Sequence, residues 1–365
     1  MLLDEVEYLN ELQQDVAYEF LGQPSESVTT KIATLPYAHA QALRARKPHL
    51  AAGNDFSELV LTHSPGVDYQ VARKGSTRTF TDVAAALWRS RLEKVGVSPA
   101  PDLKDVWVQT PYTTVLAEAY AASRERFPAK ASAQEKFVLD AFLGQLSKAE
   151  RVRAVELMGR SRMQFGDQYW RKYIQPFRYR FAALSPAKVP LAWGWRSMLR
   201  ACDGNCRWFL KLADQCWNMY WSREGMRPLS AAEQYDALRS WAESIYSVCR
   251  GLTDNGEELK RILDRVANQL RTRMIDGPSL AMEKLTVHAR DLAPEQAEAV
   301  AIGIAYGYIV PRLQQRADAA LGYPSEDVEL RLGFPVAVAK SLPLRAGTVL
   351  TIRDLRQVTF PWLTG

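Results

Sequence analysis

The sequence predicts a mainly α-helical fold: two helical lobes around a basic, aromatic-rich centre, with a small β-hairpin near residues 58–73 and a short β-rich C-terminal region. Three observations carry this. Apolar residues recur at steps of three and four along most of the chain. Two Ser-x-x-Glu capping boxes, Ser147 to Glu150 and Ser230 to Glu233, mark helix starts. Residues 160–227 hold 13 Lys or Arg against 4 Asp or Glu, a net +9 in a chain of net +6.

Taken in order, Leu2, Val6, Leu9, Leu12, Val16 and Phe20 lie at helical spacing until Gly22 and Pro24 stop the run. Glu58–His63 and Val67–Arg73 alternate around Ser64-Pro65-Gly66, the pattern of a hairpin. Thr81-Asp82 opens a helix that Val83, Leu87 and Leu92 carry to Gly96. A Pro-rich passage follows, with a short extended piece expected at Val106–Gln109, and helical pattern resumes from Thr113 through Gln145. The capping boxes predict helices from Ser147 to about Met158 and from Ser230 to about Arg250. Leu259, Ile262, Leu263, Val266 and Leu270 form an apolar stripe opposite Lys260, Arg261, Arg265 and Arg271. Pro294 sits at the first turn of a helix over Glu295–Ile309. Phe334–Lys340, Thr348–Ile352 and Gln357–Phe360 read as short strands. The domain reading is an N-terminal lobe at 1–159, the central segment at 160–227, a second lobe at 228–330 and a tail at 331–365.

Val338 to Leu355, with its Ala346-Gly347-Thr348-Val349-Leu350-Thr351 phrase, resembles the opening of the β module called SAF. That module occurs beside sialic acid synthases and in pilus and flagellar assembly proteins. The resemblance covers 18 residues and implies β structure there; no function is carried over.

The chain is 365 residues long, 47% apolar and 24% charged, a globular composition. No run approaches the roughly 20 apolar residues of a membrane span. The acidic N-terminus lacks the form of a secretory signal. The expected location is the cytoplasm of a bacterium or a host cell. Cys202 and Cys206 have a spacing that zinc ligands use. The other cysteines, Cys216 and Cys249, are 33 residues apart and no histidine is near the pair. Buried, reduced thiols and no metal are expected.

The central segment also holds 14 of 37 aromatic residues and six of ten tryptophans. Cations neutralise phosphates, and rings stack on unpaired bases without selecting among them. Trp195, Leu199, Cys202, Cys206, Phe209, Ala213, Trp217 and Tyr220 are in helical phase, beside a second stripe of Arg196, Arg200, Arg207 and Lys211. Asp203-Gly204-Asn205 is turn-like and interrupts them. Phe165, Tyr169 and Tyr173 form a ring stripe with Arg171 and Lys172 close by, and Pro176 is read as the end of that helix. Phe177-Arg178-Tyr179-Arg180-Phe181 alternates ring and cation; an extended backbone would place them on opposite faces. Against this stands the plainer reading of tryptophans as core and cations as a solvated face.

Enzyme signatures are missing from the sequence: no Gly-Lys-Ser/Thr phosphate loop, no GxGxxG, no GxSxG and no Glu-x-x-His pair. The expectation is therefore a non-enzymatic single-stranded nucleic-acid-binding protein, RNA ahead of DNA. Its layout suggests a nucleoprotein or coat-like protein that homo-oligomerises along the strand, with no membrane and no cofactor. The expected contacts are Arg171, Lys172, Arg178, Arg180, Arg196, Arg200, Arg207, Lys211, Tyr179 and Trp193. Two alternatives stay open: a scaffold that uses the same segment as a protein interface, and an enzyme with an aromatic pocket for an anionic substrate.

Overall fold

The computed structural model describes residues 80–222, 226–252, 255–277, 280, 284–288, 294–311, 327–344 and 349–353, with a few positions before residue 80. Those early positions include a parallel pairing of β1, Leu2–Leu3, with β2, Lys31–Ile32. The expected hairpin near 58–73 lies outside the described residues, as does the strand expected at 357–360. The fold is mainly α.

Helix α1 spans Phe80–Lys94 and the single turn α2 spans Leu103–Val106. The extended piece expected from Val106 to Gln109 is irregular chain after that turn. The helical stretch expected from 113 to 145 is two helices, α3 at Tyr112–Ala122 and α4 at Ala131–Gln145. Helix α5, Lys148–Arg160, starts at the expected capping box: Ser147 accepts from the Glu150 N–H and Glu150 accepts from the Ser147 N–H. Helix α6, Arg162–Phe165, passes through a π turn at Gly166–Trp170 into α7, Arg171–Leu184.

Pro176 lies inside α7 rather than ending it. A proline in a helix interior costs about 3 kcal/mol. Tyr173, Phe177, Tyr179 and Arg180 are all buried by α7, and each large apolar side chain so buried returns about 1.5–3 kcal/mol, which offsets the missing N–H. The ring–cation alternation at 177–181 is therefore helical, and Phe177 meets Phe181 one turn on, with ring centroids 5.6 Å apart.

Helix α8, Trp195–Ala201, and α9, Cys206–Trp221, are separated where Asp203 and Gly204 take φ of +51° and +76°. Asn205 caps α9 by accepting from the Trp208 N–H. Helix α10, Ala231–Ser247, opens at the second capping box, and α11 runs Gly256–Asp276. Strand β3 at Lys284–His288, α12 at Pro294–Ala305, β4 at Ile309–Pro311 and β5 at Asp327–Leu332 follow. Helix α13 covers Phe334–Ala339 and β6 covers Val349–Arg353. The sheet order is β3-β6-β5-β4, parallel between β3 and β6 and antiparallel elsewhere. Phe334–Lys340, expected as a strand, is the helix α13. Its residues are apolar on every side and buried, so periodicity cannot separate helix from strand, and Pro335 in the first turn favours the helix.

Two apolar clusters organise the helices. One joins α1, α2 and α8 to α13 around Trp88, Trp107, Phe209 and Trp241; Trp107 meets Phe209 edge-on at 6.3 Å. The other joins α3 to α7 around Phe142, which touches Phe165, Trp170 and Phe177 at 5.0–6.2 Å. The central segment feeds both.

Candidate nucleic-acid interface

Arg196 and Arg200 on α8, and Arg207 and Lys211 on α9, are exposed. Arg196, Arg207 and Lys211 have no carboxylate partner among the described residues, while Arg200 also reaches the Leu344 carbonyl at 3.3 Å. The carboxylate of α9, Asp214, is held by a two-pronged pair from Arg91 at 2.7 and 2.8 Å, so it does not neutralise the row. Lys104 and Arg196 each lie 5.2 Å from the ring of half-buried Trp195. Lys104 belongs to the Pro-rich passage rather than to the basic segment, so the charge count along the chain does not point to it.

The other expected contacts separate. Arg171 and Lys172 are exposed at the start of α7; Arg171 pairs with Asp167 at 2.7 Å and Lys172 lies 4.8 Å over the Tyr173 ring. Tyr179 and Trp193 are core residues, 3% and 6% exposed, and present no ring face to a base. The Trp193 indole N–H donates to the Thr110 carbonyl. Arg180 is 6% exposed and donates to the Met274 and Gly277 carbonyls, tying α7 to the end of α11. Arg178 lies 4.4 Å over the Tyr112 ring. The sequence pattern could not show this division, since it depends on what packs against α7.

Three further polar sites hold the fold around the row. Gln234 is fully buried; its amide donates to the Val108 and Leu229 carbonyls and its oxygen accepts from the Gly194 N–H. Arg331 pairs with Asp203 at 2.6 Å, both side chains under 5% exposed, so β5 is fastened to the turn between α8 and α9. Asp264 on α11 accepts from Tyr246, Lys260 and Lys340, which join α10, α11 and α13. Burial alone would raise the Asp264 carboxyl, but these hydrogen bonds and the Lys340 charge outweigh it and hold it below its usual range.

Cys202, Cys216 and Cys249 are buried, Cys206 is half-buried and all four are free thiols. Burial pushes the Cys216 thiol up to about 12 and Cys249 up to about 11. Among the described residues no group of three His, Cys, Asp or Glu could hold a metal, and no helix is long and apolar enough to cross a membrane.

A family model described as ORC-CDC6-like matches residues 1–352. The chain belongs to the ORC-CDC6-like family. No curated protein and no solved structure is significantly similar to it. Membership overturns the expectation of a non-enzymatic single-stranded nucleic-acid-binding protein, with its nucleoprotein, coat-like and structural-protein readings, because this family points to an AAA+ ATPase-like origin and to DNA-related oligomeric assemblies. The coat-like reading rested on composition and size, which many helical basic proteins share. This ORC-CDC6-like chain contains no Gly-Lys dipeptide. Its nearest approach to phosphate-loop residue types, Lys74-Gly75-Ser76-Thr77, puts the lysine before the glycine and lies outside the described residues.

Proposed function

We propose that this ORC-CDC6-like chain serves as a DNA-contacting subunit of an oligomeric assembly. Its phosphate contacts are Arg196, Arg200, Arg207 and Lys211, with Lys104 beside them and Arg171 and Lys172 as a second exposed pair. The observation that carries this is the exposed row on two successive helices whose nearby carboxylate, Asp214, is already engaged by Arg91. Cations so placed neutralise phosphates and release counterions. Duplex DNA suits the row better than a single strand: Phe209 and Tyr220 are buried and Trp195, Trp208 and Trp217 are half-buried, which leaves Trp221 as the exposed ring of α8 and α9 for stacking on unpaired bases.

Fluorescence anisotropy with a labelled duplex, titrated across salt concentrations, tests the reading. Binding should weaken steeply with salt. Replacing Arg196, Arg200, Arg207 and Lys211 by Ala should flatten the log–log slope by about 0.9 for each phosphate that is no longer neutralised. Absence of duplex binding at low salt, or an unchanged slope in the fourfold variant, would sink it. Tighter binding to single strands than to duplex would reject the duplex preference.

A further inference from the structure

Arg178 is held differently from its neighbours. Its guanidinium carbon lies 4.4 Å over the Tyr112 ring, and its Nε is buried without a hydrogen-bond partner among the described residues. No carboxylate pairs with it among those residues. The Tyr112 hydroxyl beside it is likewise buried and has no partner among the described residues. Arg180, two residues on, spends its guanidinium on two backbone carbonyls. Buried polar groups are ordinarily satisfied, so two adjacent donors with no acceptor ask for one from outside the protein.

The surroundings favour an oxyanion as that acceptor. A guanidinium offers a planar fork of N–H donors and accepts nothing. Burial raises the Tyr112 phenol above its usual range, so it stays protonated and able to donate. The Tyr112 ring is fixed by near-parallel stacking on Trp193, with centroids 6.1 Å apart and planes 9° apart. Tyr112 also opens α3, where Pro111 supplies no side-chain cap to the first-turn N–H groups. We propose that Arg178 and Tyr112 are the two donor arms of a binding site for the terminal oxyanion of a small molecule, a phosphate monoester or a carboxylate.

Burial separates this site from the exposed cations of α8 and α9. Tyr112 is 9% exposed and Arg178 is half-buried, so the terminal group of a small molecule suits the pair better than a duplex backbone does. The site therefore stands or falls apart from the DNA-contact reading.

The test uses the whole chain and follows its melting temperature in inorganic phosphate or acetate at constant ionic strength. A ligand that binds the folded state raises Tm with concentration. At least one of the two anions should do so, and which one identifies the phosphate or the carboxylate as the natural group. Tyr112→Phe keeps both ring contacts and removes a hydroxyl that has no partner, so its ligand-free Tm should not fall. Its affinity for the anion should drop about tenfold, the effect of one hydrogen bond to a charged group. Arg178→Gln should abolish the shift, and neither change should alter duplex affinity. If neither anion stabilises the native chain, or if Tyr112→Phe responds as the native chain does, the site does not exist.

Discussion

Single side chains divide here by what they meet, not by type. Arg180, Gln234 and Arg331 are polar residues taken into the interior, and each is bonded to backbone or to a carboxylate distant in sequence. Gln234 serves three backbone groups from three separate segments. Replacing it by Leu leaves the Leu229 carbonyl and the Gly194 N–H buried and unmet, at about 1–3 kcal/mol each, while the Val108 carbonyl keeps the Thr110 N–H. Gln234→Leu should therefore lower stability by about 2–5 kcal/mol, seen as a large fall in the urea midpoint. A change within about 1 kcal/mol would show that water satisfies those groups instead. The Asp203–Arg331 pair makes a related case. Arg331→Met alone should destabilise by about 3–5 kcal/mol by stranding a buried carboxylate, and adding Asp203→Asn should recover part of that loss. Equal losses in Arg331→Met and the double variant would mean that no stranded carboxylate accounts for the loss.

At the scale of elements, helix starts are legible in the sequence and helix interiors less so. The capping boxes at Ser147 and Ser230 form as the sequence implies, because a cap uses residues only three apart. The run from Phe177 to Phe181 is ambiguous because residues 177 and 181 satisfy a two-residue and a four-residue period alike. Burial against α4 and α11, not local preference, decides for the helix. The junction of α10, α11 and α13 makes a pH prediction. Asp264 has its folded pKa depressed, so its contribution is present above the unfolded value, about 3.9, and is lost as pH falls through the lower folded value. The stability gap between native chain and Asp264→Asn should thus be open near neutrality and close below about pH 4. Thermal melts of both proteins across acid pH measure it; a gap independent of pH would rule out this carboxylate as its source.

Across the whole molecule, the central segment both builds the core and faces solvent. Its tryptophans and phenylalanines supply two apolar clusters, while Arg196, Arg200, Arg207 and Lys211 remain outside. The cysteines follow the same partition. A thiol-reactive disulfide reagent should modify Cys206 alone in the native chain and all four cysteines after unfolding, and reductant should leave Tm unchanged. Rapid native reaction of Cys202, Cys216 or Cys249 would contradict their burial.

By itself the sequence determined the mainly helical class, the capped starts of α5 and α10, the break at Asp203-Gly204-Asn205 and the place where positive charge gathers. Each of these depends on residues near one another along the chain. Tertiary structure alone decided which cations face water. Arg178 and Arg196 are equal in sequence terms, yet one lies half-buried over Tyr112 and the other stands exposed beside Trp195. It also paired Arg331 with Asp203 across 128 residues and turned Tyr179 and Trp193 into core. Burial is set by partners far away in the chain, so no local pattern of rings and charges can report it.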